Sequence, residues 1–115
     1  MRYDYYFKLE GKKPVSIDVS ELTKYINNAE MRRVGFDDIG PFNISTVFLF
    51  INHAHGGGDP VLFETMVFQN GTEVYEENFD LMDRYCTWDE AIDGHKSICN
   101  QVRRLYWSAT GSGSE

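Results

Sequence analysis

The chain has 115 residues, 42% of them hydrophobic and 15% aromatic, with a formal net charge of -7. That length suits one domain with one core, and the apolar content argues against disorder. The acidic balance disfavours nucleic-acid binding through phosphates, which needs a basic surface.

No stretch approaches the length of a membrane span, and the opening MRYDYYFKLEGKK lacks the apolar core of a secretion signal. The expectation is a soluble protein of a reducing, cytoplasmic compartment. Cys86 and Cys99 fit it as buried free thiols, because they lie on different elements without metal-type spacing.

In chain order, residues 3–9 alternate and are rich in aromatics, which predicts a strand; the turn at 11–14 leads to a short return at 15–17. Asp18, Ser20 and Glu21 offer a capped helix start, and Leu22, Tyr25, Ile26 and Ala29 then share one face, predicting a helix over about 19–31. Residues 33–37 read as a strand and Gly40-Pro41 as a turn. Residues 44–51 and 61–68 are the strongest strands, expected to pair antiparallel as a central hairpin. Apolar residues on both faces predict cover on each side. Asn70-Gly71 suits a tight primed turn.

The acidic stretch 73–80 is expected to be an edge strand or a loop. With Asp83 it is either a solvated segment or a steering surface for a basic partner. Residues 82–86 read as a last strand. Thr87 and Glu90 form a capping box that opens a helix over about 88–105, with Ala91, His95, Ile98, Val102 and Leu105 on one face. The fold class is therefore α+β: an antiparallel sheet with two helices, a single domain over 1–107. Residues 108–115, SATGSGSE, read as a flexible tail or appended linker.

Three groups of residues invite a chemical reading. His53 and His55 are two apart, so in an extended segment both rings point one way and reach one cation. Two ligands are too few, although Asp59 offers a third and Glu64 or His95 a distant one. The expectation is no cofactor and no stoichiometric metal. Gly56-Gly57-Gly58 permits close backbone approach, but lacks the lysine-serine ending and following helix of a nucleotide-binding loop.

Glu64 is the sharpest case, a carboxylate between Leu62 and Met66 on an apolar strand. Arg84 is its expected partner, with His95 sharing the network. One reading is a buried ion pair that fixes strand register, whose disruption costs roughly 3–5 kcal/mol. The other is a polar ligand pocket of Glu64, Arg84, His95 and His53, in which Glu64 with His95 or His53 acts as an acid/base pair. No serine, threonine or cysteine sits in an activating motif.

Together, the segments Ser45 to Leu49 (STVFL), Asn52-His53, Pro60, Leu62 to Phe68 (LFETMVF), Arg84-Tyr85, Thr87-Trp88, Glu90-Ala91 and Gly94-His95, preceded by Arg32 to Val34, resemble a family of small proteins of tailed bacteriophages and prophages. The resemblance covers about residues 31–96. Phe50 departs from it, standing where a small residue is usual, as does the loop His-Ala-His-Gly-Gly-Gly. The resemblance implies a bacterial cytoplasmic setting during infection and brings no activity with it. The expected function is that of an accessory protein that binds a host or phage protein, or a small ligand, without catalysis. The alternatives are a small hydrolase using Glu64 with His95 or His53, and a structural or virion-associated component.

Overall fold

The computed structural model describes residues 5–54, 58–74 and 81–110. Strands β1 (Phe7–Glu10) and β2 (Lys13–Ser16) form a hairpin turned at Gly11. Single helical turns α1 (Val19–Leu22) and α2 (Ala29–Arg32) follow. Strands β3 (Arg33–Ile39), β4 (Phe42–Phe48), β5 (Phe63–Gln69), β6 (Thr72–Glu73) and β7 (Met82–Tyr85) make an antiparallel five-stranded sheet, and helix α3 (Trp88–Thr110) crosses it. The α+β class and the pairing of the two best strands are as the sequence predicts. Ile44 lies opposite Val67 and Phe48 opposite Phe63, and bonds from Leu49 N–H to Leu62 O and from His53 N–H to Val61 O extend the ladder.

Three features differ from expectation. The helix predicted over 19–31 is broken after Leu22 by turns through Asn27. Asp18 makes no side-chain cap bond, and the Thr23 hydroxyl bonds back to Ser20 O instead, the local competition expected of such residues. Leu22 is buried and Tyr25 and Ile26 still pack on the core, so the apolar pattern recorded burial rather than helical continuity. Helix α3 runs through Thr110, into the segment read as tail. Most of the acidic stretch, 75–80, lies outside the described residues.

The third difference is in the layers. Burial alternates over residues 43–48 of β4 and 63–68 of β5, so the sheet has one covered face and one open face. Cover on both sides, expected from composition, is absent among the described residues: no side chain of the open face joins either core cluster. On the covered face, Phe48, Phe63, Tyr85 and Ala91 build one cluster with the β1–β2 hairpin. Ile44, Val67, Leu81, Ile98, Cys99 and Val102 build a second.

Phe50 is buried with φ 63, a backbone that glycine adopts at little cost and phenylalanine rarely. Phe50 offsets the strain by packing edge-on against Phe48, centroids 4.8 Å apart. Its carbonyl accepts from Phe7 N–H, which fastens the N-terminal hairpin to the sheet.

Candidate functional site

A polar belt separates the two apolar clusters. Thr46 and Thr65 are cross-strand partners on the covered face, and neither has exposed surface. Their hydroxyls lie 2.5 Å apart. His95, two turns into α3, places Nδ1 2.6 Å from Thr46 Oγ1 and Nε2 2.7 Å from Asp37 Oδ2 on β3. With Asp37 ionised and the His95 ring neutral, the donor inventory assigns a single direction: Nε2–H donates to Asp37, and the Thr46 hydroxyl donates to Nδ1. The Thr65 hydroxyl then donates to Thr46.

Two glycines make room for this belt. A Cβ at Gly35 would lie 3.3 Å from the His95 ring, and one at Gly94 would lie 2.1 Å from Cε1, Cζ and Oη of Tyr85. The register shift between Arg33 and Gly35 sets Gly35 under the imidazole.

Tyr85 ends the belt. Burial pushes its phenol up from the usual value, and Thr65 opposes this. The alignment nevertheless leaves the buried oxygen without a full hydrogen bond. Tyr85→Phe should therefore be neutral or stabilising by about 1 kcal/mol, since an unsatisfied buried hydroxyl is costly. It should also lessen the fall in stability above pH 10, the remainder coming from the raised thiols Cys86 and Cys99. A group with a raised folded pKa contributes fully below its unfolded value and loses that contribution as pH climbs through the folded one. Urea denaturation at pH 7 and at pH 10.5 checks both.

Asp37, His95 and Thr46 stand in the order of an acid–base–hydroxyl relay. With no exposed surface on Thr46, its oxygen has no access to a substrate. Both thiols are held protonated at neutral pH. Burial, then Glu90 and Asp59, raise Cys86, and burial, then Asp37, push Cys99 up to about 11. Neither has the lowered pKa of a nucleophile.

The sequence-derived cluster of Glu64, Arg84 and His95 is divided by the sheet. Glu64 and Arg84 are cross-strand neighbours on the open face, with Arg84 Nε donating to Glu64 Oε2 at 2.8 Å. His95 lies on the covered face with other partners, so it does not share their network. The pair is not deeply buried either: its side chains are 14% and 42% exposed. The 3–5 kcal/mol expected of a buried pair therefore does not apply. Glu64→Gln should cost about 1 kcal/mol or less in thermal or urea unfolding, as half-exposed pairs do.

His53 and Asp59 flank the glycine loop, and His55 lies outside the described residues. The base of that loop is held by buried Asn52, whose Oδ1 accepts from Ala54 N–H at 2.8 Å and Val61 N–H at 3.0 Å. Among the described residues, the one group of three side chains with converging ligand atoms is Asp37, His95 and Cys99, not the loop. Sequence reading missed Asp37, Thr46, Thr65 and Asn52. The available signal was a polar residue at an inward position of a strand otherwise filled by isoleucine, phenylalanine and valine.

The open face carries three cross-strand rows: Arg33, Val47, Glu64, Arg84; then Phe36, Ser45, Met66, Met82; then Asp38, Asn43, Phe68, Glu73. Phe36 and Met82 are 43% and 44% exposed. Arg33 stacks over Phe36, 4.8 Å from the ring centroid. Arg33 and the Arg84–Glu64 pair line one end of this surface, and the carboxylates of Asp38 and Glu73 the other. Comparison with protein-family models, curated proteins and solved structures finds no match to this chain.

Proposed function

We propose that this protein is a non-catalytic accessory protein that binds a protein partner through the open face of its sheet, in the cytoplasm of a bacterium carrying a tailed phage or prophage. The observation that supports this reading is the apolar centre of that face, Phe36, Val47, Met66, Phe68 and Met82, uncovered by any described helix and framed by opposite charges. Such a rimmed apolar patch is the usual form of a docking surface. The hydrolase reading is disfavoured where it pairs Glu64 with His95, because the sheet stands between them; its other form pairs Glu64 with His53.

The test compares the chain with Phe36→Asp and Met82→Asp, both at exposed positions and so compatible with folding. Each immobilised protein is exposed to lysate of phage-infected cells. One partner should be retained by the parent and lost by both variants at unchanged melting temperature. Equal retention by all three would overturn the open face as the binding surface.

A further inference from the structure

We propose that Asp37, His95 and Cys99 form a zinc-binding site with a fourth position open to water. His95 and Cys99 are four apart on α3 and therefore share one face of the helix, while Asp37 meets them from β3. Their ligand atoms, Oδ2, Nε2 and Sγ, all lie within 4.8 Å of one another. The sequence pointed to the histidine pair at 53 and 55, with Asp59 as a third ligand and Glu64 or His95 as a distant one, because the carboxylate that completes this set is 58 residues from His95.

The geometry is close to what zinc needs. Zinc bonds of about 2.0–2.3 Å at tetrahedral angles separate ligand atoms by roughly 3.3–3.6 Å. Asp37 Oδ2 stands 3.7 Å from Cys99 Sγ and 2.7 Å from His95 Nε2. Closure around an ion requires the carboxylate to withdraw from Nε2 by somewhat over half an ångström and His95 Nε2 and Cys99 Sγ, now within 4.8 Å of each other, to settle at about 3.6 Å. Asp37 has that freedom, since its side chain is 50% exposed, and the same exposure provides an entry path and room for water as fourth ligand. Cys99 and His95 are buried and held in place.

The surroundings match a metal site as well. A zinc-bound histidine donates its other ring N–H to a fixed acceptor. His95 Nδ1 has that acceptor in Thr46 Oγ1, whose own proton turns to Thr65. Gly35 backs the ring. Thiolate with imidazole selects zinc over calcium or magnesium, which take oxygen ligands. A net charge of -7 favours the approach of a cation.

The test is a zinc titration of the full chain under reducing conditions, in competition with a chromophoric chelator. One equivalent should bind. Cobalt in place of zinc should give a thiolate-to-cobalt charge-transfer band and the visible bands of a tetrahedral ion. Cys99→Ser should abolish the charge-transfer band and weaken zinc by more than about tenfold, a scale that outer-shell changes alone already reach. Asp37→Asn, at an exposed position, should weaken zinc while leaving the fold intact. His53→Gln should change nothing. Absence of a bound equivalent, or binding lost in His53→Gln but kept in Cys99→Ser, would overturn the proposal.

Discussion

Gly94→Ala is expected to destabilise the protein by about 3 kcal/mol or more, against the ordinary sign of the change. Gly94 lies inside α3, where replacing glycine by alanine normally stabilises a helix by about 1 kcal/mol. Here the added methyl would stand 2.1 Å from three atoms of the Tyr85 ring. Tyr85 is buried in the cluster of Phe48, Phe63 and Ala91, and its ring cannot retreat without forcing them. Overpacking of a dense core costs about 1–3 kcal/mol and sometimes more, and the helix must also lift from the sheet over the polar belt. Chemical denaturation measures the loss. The double variant Gly94→Ala with Tyr85→Ala should cost much less than the sum of the single changes, because the second removes what the first strikes. Additive costs would show that the ring is not the obstacle.

The second large effect is expected at Thr46→Val. The side chains are nearly the same shape, so little packing is lost. The hydroxyl is the sole bridge between Thr65 and His95 Nδ1 in the belt. Its removal leaves a buried ring nitrogen and a buried hydroxyl without partners, a loss of about 1–3 kcal/mol. A double-mutant cycle between Thr46→Val and Thr65→Val should show coupling, since one bond serves both. Ser45→Ala, on the adjacent open-face position, should be nearly silent. A Thr46→Val protein as stable as the parent would mean that water replaces the hydroxyl and that the belt does not fix α3 on the sheet.

These effects arise where the polar belt interrupts the core. An apolar helix on an apolar sheet can slide, because burial is not directional. A histidine bonded at both nitrogens, to β3 and to β4, allows one helix position. That position brings Cys99 beside Asp37 and places Ala91 and Val102 in separate clusters.

What the sequence determined by itself was local. Alternation over 44–51 and 61–68 specified two strands, since side chains on a strand point alternately to its two faces. Asn70-Gly71 specified the turn from β5 into β6, with Asn70 at φ 52 and Gly71 at φ 81. Thr87 and Glu90 specified the start of α3: Glu90 N–H donates to Thr87 Oγ1 at 3.1 Å, and Glu90 Oε1 accepts from Thr87 N–H. Even the partnership of Glu64 with Arg84 followed from charge and strand order. Tertiary structure alone decided which face α3 covers. Apolar residues stood on both faces of β4 and β5, so periodicity could not choose between them. That choice set Glu64 and His95 on opposite sides of the sheet. It also joined His95 to Asp37, Thr46 and Cys99, residues 58, 49 and 4 positions away. Only the last of these separations is visible in a helical repeat. The other two exist because antiparallel pairing carries β3 and β4 beneath one turn of a helix formed much later in the chain.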